Sequence, residues 1–289
     1  MSDALISFPL LGDGFVLDIP RYFTVFGFRL YWYGVIIALG FILGVLYALK
    51  VRKRFGLAEE DIIDFVLWGV PLAIIGARLY HVVFNLGDYR DNPIDIIKIW
   101  EGGSGIFGAL LFVIITIIAV SKVKKIKAGA LFDISALGLL IGQSVGRWGN
   151  FVNRELYGIA TDLPWRMGLT TQSETIYVHP LFLYESLWNA LGFVILHFMS
   201  KKRKYDGEIF VCYLAWYCFG RCLCESIRAT HVYYVNFFGH TVSASMIVSA
   251  AVLILSLAFL IINKVAVKHD ASELYALKGR GEQKSGAKN

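Results

Sequence analysis

Three arginines stand after glycines near the ends of long apolar runs, in Gly76-Ala77-Arg78, Gly146-Arg147 and Gly220-Arg221. A guanidinium at membrane depth is costly, so each is a functional-site hypothesis by default. Its planar fork presents paired N–H groups that suit a phosphate or a carboxylate. Other polar groups accompany them. Tyr31 and Tyr33 open the first apolar run, and Asn150, Asn153, Arg154 and Glu155 follow Arg147. Tyr217 and Glu225 lie one helical turn before and after Arg221, on the same helix face, and Arg228 follows. The chemistry such a set supports is the holding of an anionic lipid headgroup. A reaction does not follow from these residue types alone.

The elements that must position these groups are membrane helices. A span needs roughly 20 mostly apolar residues, and seven segments reach or approach that length: 31–49, 62–84, 106–120, 131–145, 180–199, 209–227 and 242–262. The fold class expected is all-α and polytopic, with a membrane-embedded part over 1–264 and a polar, frayed cytoplasmic tail over 265–289. Basic clusters follow the first (Lys50, Arg52, Lys53, Arg54), third (Lys122, Lys124, Lys125, Lys127), fifth (Lys201, Lys202, Arg203, Lys204) and seventh segments. Positive residues favour the cytoplasmic side, which puts the N-terminus outside and the C-terminus in the cytoplasm. The second, fourth and sixth segments then run outward, so their arginines share one outer layer with Tyr31 and Tyr33. The long connection 147–179 becomes a small external cap.

Gly138, Gly142 and Gly146 recur every fourth residue. Small residues let helices approach closely, so this ridge is expected to carry Arg147 into a helix–helix contact. Any one arginine also fits snorkelling to headgroups, with the tyrosines as an interfacial belt. Three glycine–arginine pairs at one depth fit a shared interior site better.

Composition agrees: 57% of the 289 residues are hydrophobic and 17% charged. The net charge of +6 comes from short clusters between apolar runs, which set orientation and argue against a nucleic-acid surface. Cys212, Cys218, Cys222 and Cys224 fall in one apolar segment without metal-site spacing and read as buried apolar residues. The N-terminus lacks the basic start and apolar core of a cleavable signal. Asp64 and Asp133, the inner acidic exceptions, fit solvated or helix-capping roles. His197, His231, His240 and His269 form no constellation.

Six ordered motifs resemble the prolipoprotein diacylglyceryl transferase family of bacterial membrane enzymes: YWYG (31–34), GARLYHVVF (76–84), IWEGGSGIFGAL (99–110), GRWGNFVNRELYG (146–158), HPLFLYESLWN (179–189) and GRCLCESIR (220–228). The resemblance runs over nearly the whole chain. It implies transfer of the sn-1,2-diacylglyceryl group of phosphatidylglycerol to the lipobox cysteine thiol in a prolipoprotein signal peptide. Glycerol 1-phosphate is released, in a bacterial inner membrane. The family's essential arginines match Arg147 and Arg221, and Tyr33, Asn150 and Gly158 match further important positions. Arg78, Glu155, Tyr217, Glu225 and Arg228 are expected to line the lipid site, and no metal or soluble cofactor is implied. Arg154 and Glu155 either orient one another or form a loop ion pair, and Glu225 either holds Arg221 or Arg228 or takes part in the chemistry.

One departure stands out. Many family members have a histidine, proposed as general base, where this chain has Phe107. The arginine field must then lower the thiol pKa, or another group must serve, with His81 a candidate. His179 is expected to cap the fifth helix with Pro180. A phospholipid transporter using the same arginines is the competing reading, although transport favours polar groups through the full membrane depth. A seven-helix receptor has only the helix count in its favour.

Overall fold

Long apolar runs fold as helices in a bilayer because each backbone N–H and C=O must find its partner within the segment. Among the described residues seven such helices form: α1 (Trp32–Val51), α2 (Glu59–Phe84), α3 (Ile106–Val123), α4 (Ala128–Asn153), α5 (Leu181–Met199), α6 (Glu208–Ser226) and α7 (Ala244–Ala266). All but α6 are long and apolar enough to cross a membrane. The 19 residues of α6 include Glu208, Arg221 and Glu225. The computed structural model describes residues 4–12, 14–90, 92–103, 105–172, 174–229, 234–237, 240–266 and 274–277. His231, His269, the His240 side chain and most of the 265–289 tail lie outside them.

Short strands accompany the helices: β1 (Leu5–Ser7), β2 (Val16–Leu17), β3 (Tyr22–Val25), β4 (Phe28–Tyr31), β5 (Met167–Thr170), β6 (Thr175–Val178), β7 (Tyr234–Phe237) and β8 (His240–Ser243). Four of them form an antiparallel sheet in the order β2-β1-β5-β6, with Ile6 paired to both Leu17 and Leu169. This sheet joins the N-terminus to the segment after α4. Strands of two to four residues carry too little alternation to be read from sequence, and β1 and β5 pair from far apart along the chain.

The chain divides into two compact units. The first comprises residues 1–47, 135–203 and 208–269, and the second 48–134, 204–207 and 270–289. In the first, one face of the sheet packs on the end of α4 and the start of α5, through a core of Ala4, Ile6, Phe151, Val152, Met167, Leu169, Val178 and Phe182. The Phe151 and Phe182 rings lie 4.5 Å apart. The glycine ridge does bring α4 into close contact, against glycines of α1. A methyl on Gly44 would stand 2.8 Å from the Gly138 carbonyl oxygen, and one on Gly40 3.1 Å from that of Gly142. Any larger residue would push these helices apart. The four cysteines are free thiols.

In the second unit, α2 packs along α3. Asp64 pairs with Lys124, and the fully buried Asp133 accepts the Gly207 amide at 2.9 Å. Residues 274–277 of the tail make a short turn there, with Leu274 buried and the Tyr275 amide donating to Asp206 at 2.9 Å.

Candidate active site

The end of α4 shows how the sequence GRWGNFVNRE shapes its own surroundings. The helix closes at Asn153, with the Glu155 amide donating to the Asn150 carbonyl at 3.1 Å and the Arg154 amide to that of Phe151 at 3.0 Å. This is a Schellman ending, whose left-handed position usually holds glycine. Here Arg154 takes it, at φ 53°. Its buried side chain donates to the carbonyls of Ala4 (2.9 Å), Ile19 (2.6 Å) and Val152 (2.8 Å). Those bonds offset the roughly 1 kcal/mol cost of the conformation. The same turn folds Glu155 back, so that it accepts from Asn150 at 2.8 Å and Asn153 at 3.4 Å. Arg154 and Glu155 thus serve different partners, one tying down the N-terminal segment and the other buttressing Asn150.

Arg147 projects from α4 one turn before Asn150 and donates to its Oδ1 at 3.4 Å. Its ion-pair partner is Glu185 of α5, at 2.5 Å. Arg221 and Arg228 reach the same carboxylate at 3.4 and 2.8 Å. They also share Glu225, at 2.9 and 3.1 Å. Ser243 donates to Glu225 at 2.7 Å, and Arg221 donates to Ser245 of α7. Three guanidiniums thus meet two carboxylates, leaving one net positive charge in a largely buried cluster. Exposure sorts the arginines. The Arg228 side chain is 4% exposed, whereas those of Arg147 and Arg221 are each 18% exposed and keep an open edge. Burial and then the Arg221 charge push the Arg228 guanidinium below its usual range, against the pull of Glu185 and Glu225. It begins so high that it stays charged.

Arg228 is placed by backbone pairing. The Ile159 amide donates to the Ile227 carbonyl at 2.8 Å and the Ala229 amide to Tyr157 at 3.2 Å, with Gly158 opposite Arg228. A methyl on Gly158 would lie 2.6 Å from the His179 Cβ and 2.9 Å from the Ile227 oxygen. Glycine is required there by this close approach rather than by a positive φ.

Tyr33 lays its ring against Gly149, and its hydroxyl makes no hydrogen bond among the described residues. Tyr217 stacks on Tyr213 at 5.9 Å. With Glu185, Trp188, Asn189, Gly220, Arg221 and Cys224 it lines a narrow cleft between α5 and α6. His179 contacts the Tyr184 hydroxyl at 3.2 Å, while Pro180 holds the cap position of α5.

Of the residues singled out from the sequence, Arg147, Asn150, Glu155, Arg221, Glu225 and Arg228 form one connected network, Gly158 supports it, and Tyr33 and Tyr217 border it. Arg78 belongs to the second unit. Its guanidinium donates to the carbonyls of Asp95 (2.5 Å), Ile96 (2.9 Å), Gly102 (2.5 Å) and Gly103 (2.9 Å), which holds the 93–103 segment in place. His81, in the same unit, has the Asn85 amide 3.4 Å from Nδ1. Its Nε2 lies against Gly103. Phe107 is half-exposed, with its ring 6.1 Å from that of Tyr80. The residue the sequence reading passed over is Glu185, the carboxylate common to all three arginines. The signal was present, since it is the lone acidic residue in the apolar run 180–199.

Such a cluster can take up a phosphate by offering the open edges of Arg147 and Arg221, while the carboxylates hold both in place. A family model described as prolipoprotein diacylglyceryl transferase matches residues 20–262. A phosphatidylglycerol–prolipoprotein diacylglyceryl transferase from Listeria welshimeri is 38% identical over 242 residues, covering 81% of this chain and 86% of that protein. One so named from Enterococcus faecalis is 40% identical over 221 residues, covering 73% and 80%. Another, from Halalkalibacterium halodurans, is 38% identical over 245 residues, covering 82% and 83%.

Proposed function

Because the chain belongs to the prolipoprotein diacylglyceryl transferase family, we propose that it transfers the sn-1,2-diacylglyceryl group of phosphatidylglycerol to the lipobox cysteine of a prolipoprotein. It is a polytopic membrane enzyme. The reaction is the first step of bacterial lipoprotein maturation, and it takes place at the outer side of the inner membrane. The cysteine sulfur bonds to the glyceryl C3 as that carbon's bond to phosphate oxygen breaks. The bond's electron pair leaves with glycerol 1-phosphate, and the thiol gives up its proton. A phosphodiester with one negative charge becomes a monoester approaching two, so catalysis needs fixed cations where that charge grows.

One observation carries this reading: Arg147 and Arg221 converge on Glu185, each with part of its guanidinium open. Fixed by carboxylates, they meet the developing charge without first reorganising. Arg228 is too enclosed to contact a lipid and orients Glu185 and Glu225. Asn150, braced by Glu155, steadies Arg147, and the Tyr33 hydroxyl is available to the headgroup. Tyr217 borders the cleft for the diacylglyceryl side, and Arg78 is proposed as a lipid-site residue whose guanidinium is held by the 93–103 segment. The same positive field favours the thiolate, whose parent thiol ordinarily ionises near pH 8.5. With Phe107 in place of a histidine, that field carries more of the activation. The basic clusters after α1, α3, α5 and α7 support an outside N-terminus, with 147–179 as an external cap and 265–289 in the cytoplasm.

The test is release of labelled glycerol phosphate from phosphatidylglycerol presented with a lipobox peptide. The wild-type chain is expected to release it, and Arg147→Lys, which keeps the charge but loses the fork, to slow release by about 10²-fold. Lipid movement between leaflets without release would replace the transferase reading with a transporter.

A further inference from the structure

Strands β3 and β4 form a two-stranded sheet of their own, apart from the four-stranded one. Phe26 and Gly27 join them, and both residues have positive φ, 48° and 84°. That is the geometry of a tight type I′ hairpin turn, whose first position ordinarily holds asparagine, aspartate or glycine. A phenylalanine there is sterically disfavoured. Phe26 is also 97% exposed, so no contact within the protein offsets the strain.

The register gives the hairpin two unlike faces. Residues directly opposite one another project to the same side of a sheet, and the side alternates along each strand. Phe23 opposes Leu30 and Val25 opposes Phe28, so one face is wholly apolar. On the other, Tyr22 opposes Tyr31 and Thr24 opposes Arg29. There the two tyrosine rings lie 5.6 Å apart, and the Arg29 guanidinium stands 5.0 Å from the Tyr22 ring. The apolar face is not covered by the protein: Phe28 is 75% exposed and Leu30 44%.

Two strands alone are marginal in water and need a hydrophobic surface to pack on. The bilayer is the surface at hand, because the hairpin runs into a membrane-spanning helix without a linker. Strand β4 ends at Tyr31 and α1 begins at Trp32. The Trp32 amide donates to the Arg21 carbonyl at 3.0 Å, and the Trp32 ring lies 4.7 Å from that of Phe23. Further along α1, Val35, Leu39, Ile42 and Leu46 are exposed at helical spacing and form a lipid-facing stripe. An amphipathic element joined to such a span, with tyrosines and an arginine on its polar side, has the make-up of a segment that lies in the membrane interface.

We propose that the β3–β4 hairpin lies along the leaflet at which α1 begins. Phe23, Val25, Phe28 and Leu30 face the acyl chains, Phe26 inserts at the tip, and Arg29 stands among the headgroup phosphates. The partner is the phospholipid bilayer itself, whichever leaflet that is. The strained turn is then offset by transfer of the Phe26 ring out of water.

The experiment places an environment-sensitive fluorophore on the new thiol of Phe28→Cys or of Thr24→Cys, one position on each face. The full-length proteins are reconstituted in vesicles of phosphatidylglycerol and phosphatidylcholine, and labelled wild type supplies the background from the native cysteines. Both positions are exposed, so neither change should alter Tm. The label at 28 should emit to the blue of the label at 24. It should also be quenched several-fold more by a nitroxide phospholipid than by aqueous iodide, with the order reversed at 24. Equal access of iodide to both positions, or equal quenching of both by the lipid, overturns the inference. Phe26→Asn supplies a second measurement, since asparagine suits the turn better while removing the inserted ring. In that background the label at 28 should become more accessible to iodide, and an unchanged ratio overturns the part assigned to Phe26.

Discussion

Glu185→Gln is the substitution that most directly probes the arginine cluster, because it keeps the side chain's shape and removes one charge. Among the described residues Glu185 is the one ion-pair partner of Arg147, at 2.5 Å. Arg221 and Arg228 would keep Glu225, at 2.9 and 3.1 Å. Breaking a buried pair by removing one partner costs about 3–5 kcal/mol. The partly open edge of Arg147 and the hydrogen-bonding ability of glutamine place the expected loss near the lower bound, about 3 kcal/mol. The two arginines that Glu225 pairs with among the described residues, Arg221 and Arg228, also reach Glu185, so Glu225→Gln should cost roughly half as much. At about 2–4 °C per kcal/mol, the first variant should lower Tm by roughly 6–12 °C and the second by about 3–6 °C. Thermal unfolding of the detergent-solubilised protein, followed by tryptophan fluorescence, measures both. A double-mutant cycle completes the test: Arg147→Gln should couple to Glu185→Gln by about 2 kcal/mol, and to Glu225→Gln by less than about 0.5. Equal Tm losses, or a cycle in which Arg147 and Glu185 add independently, would refute the placing of Glu185 as the hub.

Three further outcomes are expected. Gly158→Ala drives a methyl to 2.6 Å from the His179 Cβ and 2.9 Å from the Ile227 oxygen, which should cost about 1–3 kcal/mol and displace Arg228; Tm and glycerol phosphate release should fall together. His81→Phe should leave the pH profile of transfer unchanged, because its ring nitrogens face Asn85 and Gly103; loss of one limb of the profile would assign His81 the thiol proton. Lys124, just beyond α3, has its pKa raised above the ordinary 10.5, chiefly by its hydrogen bond to Asp64. A raised folded-state pKa stabilises fully below the unfolded value and is lost as pH rises through the folded one, so the Tm difference between wild type and Lys124→Met should persist through neutral pH and vanish only in strong alkali.

Much of the site was legible because membrane depth makes polar residues conspicuous. Arg147, Arg221, Glu225 and Arg228 stood out as charges in or beside apolar runs, and the structure joins them in one network. Glu185 obeys the same rule, as the lone acidic residue of the apolar run 180–199. Arg78 shows the opposite limit. Its sequence setting matches that of Arg147, but four backbone carbonyls occupy its guanidinium, and the segment supplying them is built of short 3-10 turns whose path no periodicity reveals.

The sequence alone determined the helices, the glycine ridge and the concentration of arginines near one set of helix ends. Length, hydropathy and charge placement act locally and are read residue by residue. Only the tertiary structure decided which arginine keeps an open edge, that one carboxylate serves all three, and that Arg154 spends its donors on the N-terminal segment. It also paired β1 with β5 across more than half the chain. The reason is physical: a guanidinium takes whichever acceptors packing brings within 3 Å, and those acceptors come from segments whose meeting no local pattern encodes.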